Sequence, residues 1–339
     1  MTTTGKDIIH GPEQNYDVIN SDKIDASVAV LIPCYNEEVT ISTVVRDFQL
    51  ALPEARIFVY DNNSSDQTAV KAHEAGALVQ FERRSGKGNV VRRMFSDIDA
   101  DIYVLVDGDD TYHAGSARNL IQTLLDQNLD MVNASRVSNS TEAYRFGHQL
   151  GNKLLTSIVA TIFENRFTDM LSGYRVLSRR FVKSFPALST GFEIETELTV
   201  HALELRMPVD EVPTPYKDRP EHSESKLRTY SDGLRILRTI AKLVKDEKPL
   251  LFFSVIALLF ATVSVLLGVP IIAEYFRTGL VPRFPTAILA SALMILSFLS
   301  FLSGLILDTV TQGRQELKRM FYLSIAAPKR FDDDCWKNR

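Results

Sequence analysis

Residues 101–110 read DIYVLVDGDD, and residues 27–38 read SVAVLIPCYNEE. In each, an unbroken apolar run gives way at once to a polar cluster, the pattern of a strand ending in a functional turn. Residues 55–68, ARIFVYDNNSSDQT, repeat it. Between these runs lie TISTVVRDFQLAL (40–52), AVKAHEAG (69–76) and NVVRRMFSDI (89–98), with helical spacing, and ALVQFER (77–83), a short strand. Strand and helix alternating at this interval predict an α/β domain with a mostly parallel sheet. Ligands bind at the carboxyl ends of such strands, so PCYNEE, DNNSSD and DGDD are expected to face one site.

Asp107 and Asp109 stand two apart around Gly108, which is expected to let the backbone turn so that both carboxylates converge. Two hard carboxylates suit Mg²⁺ or Mn²⁺ bridging a diphosphate, although a solvated acidic turn looks the same in isolation. RRSGKGNVVRR (83–93) offers two glycines and the cations Arg83, Arg84 and Lys87. It lacks the spacing of a Walker A loop. Lying between two acid-ended strands, it reads as a diphosphate-binding loop.

The rest of the chain bounds the function. It has 339 residues and a formal net charge of −4, with 38 Lys and Arg against 42 Asp and Glu. That balance argues against a protein gripping nucleic acid through its phosphates. The two cysteines, Cys34 and Cys335, lie at opposite ends and build neither a disulfide scaffold nor a Cys-rich zinc site. The first 26 residues are polar, without the apolar core of a signal peptide, and read as a tail.

Residues 249–273 and 284–307 carry no charge. Each exceeds the roughly 20 residues that cross about 30 Å of hydrocarbon, so two transmembrane helices in an antiparallel hairpin are expected. Arg235, Arg238, Lys242, Lys245 and Lys248 precede the hairpin and Arg314, Lys318 and Arg319 follow it, while the connector holds only Arg277 and Arg283. The cation excess places both termini in the cytoplasm, with the catalytic domain on the cytoplasmic face of the inner or plasma membrane. Leu234, Leu237, Ile240, Ala241 and Val244, interleaved with cations, make 228–248 an amphipathic helix suited to the interface. The expected organisation is a tail (1–26), a catalytic domain (27–227), this juxtamembrane helix (228–248), two spans (249–307), and a cytoplasmic juxtamembrane helix and tail (308–339). The stretch DTVTQGRQELKRMFYL after the second span is the candidate partner of the first juxtamembrane helix.

PCYNEE, DNNSSD, GKG and DGDD, in this order, resemble the family 2 glycosyltransferases, whose GT-A fold is a Rossmann-like α/β architecture. NASRVSN, DMLSGYRVLSRR, GFEIETEL and VPTPYKDRPEHSESKL narrow the resemblance to the polyprenyl-phosphate type, which includes dolichol-phosphate mannose synthase and undecaprenyl-phosphate glucosyltransferases. The resemblance implies that Pro33, Tyr35, Glu37, Asp61, Asn62, Lys87 and Asp107 bind the nucleotide. Relatives often carry two aspartates where Asp61 and Asn62 stand, and which of this pair contacts the base is left open. Asp107 and Asp109 would hold Mg²⁺ or Mn²⁺; a Gln that completes the metal site in some relatives is here Thr111. Arg136, Arg145, Arg219, Ser225 and Lys226 would hold the acceptor phosphate, with Arg136, Arg219 and Lys226 joining the two aspartates in catalysis. Glu193 and Glu195 would lie near the sugar. The implied partners are a nucleotide sugar, a polyprenyl phosphate, the membrane and further copies of the chain, a tetramer among the options.

A lipid monophosphate has its second ionisation near pH 6, so it is already a dianionic nucleophile and needs no general base. Single displacement at the anomeric carbon inverts its configuration. UDP-glucose is the first candidate donor, then UDP-N-acetylhexosamine, then GDP-mannose. A processive polysaccharide synthase is the competing enzyme, but its QxxRW motif is missing, since the one tryptophan is Trp336. A dead, membrane-anchored scaffold is the competing non-enzyme, and the intact Asp107, Asp109, Arg136 and Lys226 speak against it. His148, His201 and His222 show no metal-ligand spacing and read as structural, as does Cys34; His113 reads as a surface residue.

Overall fold

The computed structural model describes residues 26–137, 168–191, 193–217, 241–242 and 244–327. A seven-stranded sheet organises the first part of the chain. Its strands are β1 (Val28–Cys34), β2 (Arg56–Asp61), β3 (Leu78–Phe81), β4 (Ile102–Leu105), β5 (Met131–Val137), β6 (Arg175–Ser178) and β7 (Val209–Pro215). They lie side by side in the order β3-β2-β1-β4-β6-β5-β7. Every neighbouring pair is parallel except those made by β6, which runs antiparallel to β4 and β5. The mostly parallel α/β sheet expected from the sequence is therefore present.

The central strand shows why. Every residue of VAVLIPC but Pro33 is buried. Val28, Val30, Ile32 and Cys34 pack into one core with α1 (Ile41–Ala51), α2 (Thr68–Glu74) and α4 (Ala117–Asp126). Ala29 and Leu31 face a second core with α3 (Lys87–Asp97), α5 (Arg179–Ser184) and α6 (Ile194–Glu204). A strand covered by helices on both faces must be apolar throughout, unlike one wetted on one side. The order β2-β1-β4 also sets the three polar clusters side by side at one end of the sheet.

Two long helices follow: α7 (Pro249–Thr278) and α8 (Phe284–Leu323), of 30 and 40 residues. Both begin with proline in the first turn, where its missing N–H costs nothing. Gly279 ends α7 in the left-handed conformation, φ 69°, with its N–H on the Tyr275 carbonyl. Both helices are long and apolar enough to cross a membrane, and little of their apolar surface is covered by the rest of the chain. They pack on each other as a hairpin through buried residues spaced by seven, most of them small: Ala257, Ser264 and Ile271 on α7, and Ala290, Ser297 and Gly304 on α8. This is the period of a left-handed coiled pair. Ser264 Oγ donates to the Ala290 carbonyl and Ser297 Oγ to the Ala257 carbonyl, each at 2.7 Å. Helix α8 runs unbroken through residue 307, so the second apolar stretch and the DTVTQGRQELKRMFYL segment are one element.

A Cβ at Gly304 would sit 3.0 Å from the Phe253 Cβ and 3.4 Å from the Leu250 Cα, whereas one at Gly313 would meet nothing within 4 Å. Gly304→Leu is therefore expected to splay the hairpin at a cost of about 1–3 kcal/mol, as overpacking does. Cysteines at Ala257 and Ser297 should cross-link readily in the native background, markedly more slowly with Gly304→Leu, and normally with Gly313→Leu.

Candidate active site

The loops after β1, β2 and β4 are laced together by their own polar residues. Asn36 N–H donates to Ser64 Oγ at 2.9 Å, and its Oδ1 accepts from the Ser65 N–H at 2.8 Å. The Glu37 N–H donates to Thr68 Oγ1 at 2.8 Å and the Gln67 N–H to Glu38 Oε2 at 3.1 Å. Thr40 Oγ1 reaches the Gly108 carbonyl at 2.7 Å, tying the first loop to the acidic turn. Each loop also carries one left-handed residue: Asn36 (φ 53°), Asn63 (φ 62°) and Asp110 (φ 55°). Asn and Asp tolerate that region best among residues with a Cβ. The turn expected at Gly108 is thus made at Asp110. Gly108 is needed for another reason: a Cβ there would lie 2.7 Å from Cys34 Sγ.

Lys87 does not lie in an open loop. It is the first residue of α3, and its Nζ sits 2.5 Å from Asp107 Oδ1 and 2.5 Å from Glu195 Oε1. The side chains of Lys87 and Glu195 are nearly buried, while Asp107 is 30% exposed. Burial alone would lower the Lys87 ammonium, but the two carboxylates outweigh it and hold it above the ordinary lysine value. Burial pushes the Glu195 carboxyl up, against the pull of Lys87. Glu195 Oε2 is buried without a partner. Neighbouring glycines permit this packing. A Cβ at Gly86 (φ 120°) or Gly88 would collide with the Thr190 or Ser189 carbonyl, and one at Gly173 would lie 2.3 Å from Asp107 Oδ2. The close approach that GKG provides is therefore to the chain's own backbone.

The pair after β2 divides its labour. Asn62 Nδ2 donates to the carbonyls of Glu82 and Arg84, each at 2.8 Å, and its Oδ1 accepts from the Gly86 N–H at 2.7 Å. Asn62 is a splint for the basic loop. Asp61 accepts from the Ser64 N–H through Oδ2, but its Oδ1 is buried and unpartnered. Pro33 and Tyr35 border the same strand end, with Tyr35 exposed.

Asp109 is buried and accepts from Thr111 Oγ1 at 2.6 Å, so Thr111 braces the carboxylate. His113 is exposed and contacts Ser116 Oγ. His201 is buried, packed on Phe181 and Phe185, and burial pushes its imidazole down to about 3. Among the described residues no group of three or more His, Cys, Asp or Glu side chains gathers as a metal cage. Asp107 and Asp109 still fit Mg²⁺ or Mn²⁺, which are usually held by one or two carboxylates together with substrate phosphates.

Arg136, at the end of β5, is held by Asp169: Nε lies 2.6 Å from Oδ2 and Nη2 2.8 Å from Oδ1. Its guanidinium also lies 5.5 Å from the Tyr216 ring centroid. Asp169, which sequence reasoning did not single out, is 33 positions away. Arg175 of the SGYR segment is wholly buried, bonded to the Met170 and Ser172 carbonyls and to Thr199 Oγ1, and burial pushes it down to about 10. It shapes the loop that backs Asp107. Arg145, Arg219, Ser225 and Lys226 lie outside the described residues, as does most of 228–248.

Removing one partner of a buried pair costs roughly 3–5 kcal/mol, whereas replacing a pair by apolar groups is often neutral. Lys87→Met should lower stability by an amount of that order, and adding Glu195→Met should recover much of the loss. Thermal unfolding of the two variants checks the pattern.

Residues 29–185 match the family described as Glycosyl transferase family 2. Glycosyltransferase AglJ of Haloferax volcanii is 33% identical over 251 residues, which are 74% of this chain and 82% of that protein. Protein RfbJ of Shigella flexneri is 54% identical over 124 residues, 36% of this chain and 96% of its own length. A dolichyl-phosphate hexose transferase of Haloferax volcanii is 25% identical over 222 residues, 65% of this chain and 95% of that one. Among solved structures, glucosyl-3-phosphoglycerate synthase of Mycobacterium tuberculosis, in complex with Mn²⁺, UDP-glucose and phosphoglyceric acid, matches with a TM-score of 0.54 at 21% identity. It covers 65% of this chain and 79% of its own, a likeness of fold. Asp61, Asp107 and Asp109 lie inside the matched region, and the chain belongs to the family 2 glycosyltransferases, with a GT-A fold.

Proposed function

We propose that this glycosyltransferase moves a hexose, with inversion, from a nucleotide sugar to a polyprenyl phosphate held in a membrane. The observation that carries the reading is the union of two parts in one chain: an acidic, cation-braced site, and two apolar helices of which the second docks on the same domain. The relative whose name gives a dolichyl-phosphate acceptor supports the lipid, and the structural relative that binds UDP-glucose and Mn²⁺ supports the donor. UDP-glucose leads the donor candidates, ahead of UDP-N-acetylhexosamine and GDP-mannose.

Each group then has a task. Asp61 Oδ1, buried and unpartnered, is suited to accept from an imide N–H of the base. Pro33, Tyr35 and Glu37 line the base and ribose, with Asn62 holding the loop that closes over them. Asp107 and Asp109, with the donor's diphosphate, would hold Mg²⁺ or Mn²⁺, which supplies Lewis-acid stabilisation of the leaving group. Lys87 serves the nucleotide through Asp107, whose carboxylate it holds in place. The acceptor phosphate attacks as a dianion, so the protein has only to orient it and offset its charge. Asp169 takes two nitrogens of Arg136 and leaves Nη1 for a phosphate oxygen. Arg145, Arg219, Ser225 and Lys226 complete the acceptor site, and Arg219 and Lys226 meet the lipid at headgroup depth. The domain 27–227 is cytoplasmic and the spans are α7 and the apolar part of α8. Val310, Leu317 and Phe321, exposed on the polar end of α8, favour a homo-oligomer.

The test is a screen of nucleotide sugars with the purified protein and polyprenyl phosphate, with the lipid product identified by mass. One sugar should be transferred, and Asp109→Ala should lower the rate by about 10²–10³ while the protein stays folded. Transfer to no prenyl phosphate from any donor overturns the acceptor; near-normal turnover of Asp109→Ala at saturating Mg²⁺ or Mn²⁺ overturns the metal assignment.

Topology has its own check. Thr278→Cys, exposed at the end of α7, should react with a membrane-impermeant thiol reagent added outside intact cells. Reaction only after the membrane is opened places the connector inside instead.

A further inference from the structure

Helix α8 does not stop where its apolar stretch stops at Leu307. It continues through Leu323, and one stripe of this extension is partly buried and bonded to the rest of the chain. At the near end Thr311 Oγ1 donates to the Asp246 carbonyl at 3.3 Å, and Arg314 Nη2 to the same carbonyl at 2.9 Å and to Glu247 Oε1 at 3.0 Å. One turn further Lys318 Nζ lies 2.6 Å from Glu204 Oε2, on α6. At the far end Tyr322 Oη donates to Asp130 Oδ2 at 2.7 Å. Asp130 is wholly buried; its Oδ1 accepts from Ser178 Oγ at 2.6 Å and from Arg180 Nε. The Arg180 guanidinium lies 4.9 Å from the Tyr322 ring centroid.

Residues 311, 314, 318 and 322 fall on one helix face. At 1.5 Å per residue, Lys318 stands about 16 Å and Tyr322 about 22 Å beyond Leu307 along the axis. Polar bonds at both ends resist sliding, because a displacement leaves Glu204 Oε2 and Asp130 Oδ2, on buried side chains, without these partners. Glu204 begins this brace from α6, the helix whose first turn supplies Glu195 to Lys87. The extension is thus bolted to the element that holds the acidic site.

We infer that the polar end of α8 is a strut, and that Tyr322 and Lys318 are positioning residues which fix the catalytic domain relative to the membrane spans so that a lipid-borne phosphate reaches the site in register. The inference rests on the proposed membrane acceptor, and it goes beyond it in naming what sets the geometry. Tyr322 and Lys318 touch neither donor nor acceptor. Breaking the strut leaves a competent site on a domain that swings on its remaining tether. A bilayer-embedded acceptor then meets the site at the wrong height, while a freely diffusing acceptor does not notice.

The experiment uses the full chain in nanodiscs, in a Cys335→Ser background in which Cys34 is buried and unlabelled. Spin labels at Val70→Cys and Phe298→Cys, both exposed, report the distance between catalytic domain and hairpin. Three forms are compared: Tyr322→Phe, which removes only the donated bond; Tyr322→Phe with Lys318→Glu; and that double variant with Glu204→Lys, which restores the pair with its charges exchanged. The distance distribution should be narrow in the parent, broad in the double variant, and narrower again on the exchange. Transfer to a long-chain polyprenyl phosphate in the bilayer should fall on the order of 10- to 100-fold in the double variant. Transfer to a ten-carbon, water-soluble prenyl phosphate, and nucleotide-sugar binding measured by calorimetry, should not change. An unchanged distance distribution overturns the strut. Equal loss with both acceptors, or loss of donor binding in Tyr322→Phe, makes these residues merely structural and overturns the positioning role. A parent that glycosylates no prenyl phosphate overturns the proposed function instead, and the distance measurement still decides the strut.

Discussion

One ammonium group, Lys87 Nζ, holds three separate parts of the chain to a single point. It opens α3, it meets Asp107 at the end of β4, and it meets Glu195 in the first turn of α6. Two carboxylates brought this close would repel each other, and the cation between them offsets that repulsion. The surrounding sequence serves this contact. Gly86 and Gly88 let the backbone at 189–190 approach, and Gly173 makes room for the Asp107 carboxylate. Asn62 fixes the loop that leads into Lys87 from the other side. The basic loop is therefore joined to the acidic site through Lys87.

The loops around it are rigid without regular structure. Their polar side chains bond to each other's backbone, and three residues sit in left-handed conformations that an ordinary side chain avoids. Such positions persist where surrounding bonds over-determine them, and they gather at sites that must be shaped before a ligand arrives. The same Asn and Asp residues that look like ligands in the sequence are thus partly turn chemistry. Asp61 and Asn62 show the distinction: Asn62 is saturated by backbone, and Asp61 keeps a buried oxygen unused.

Helix α8 connects this site to the hairpin. Its apolar half packs on α7 through small residues, and its polar half carries a stripe matched to buried acids on the catalytic domain. The two halves need opposite chemistries on one continuous helix.

The sequence by itself determined the elements and the chemistry. Apolar runs ending in PCYNEE, DNNSSD and DGDD specify parallel strands with a site at their carboxyl ends, because a strand covered on both faces can carry polar residues only where it emerges. Two charge-free stretches specify the long helices for the same reason of solvent preference. What only the tertiary structure decided is pairing. Lys87 meets Glu195 across 108 positions, Arg136 meets Asp169 across 33, and Tyr322 meets Asp130 across 192. Local spacing carries no record of such distances, since side chains that close on each other there are brought together by sheet order and helix packing. That is why the sequence points to a cation at Lys87 but not to its contacts with Asp107 and Glu195. It is also why Tyr322, one aromatic among several in the tail of α8, shows its contacts with Asp130 and Arg180 only once the helix is laid against α5.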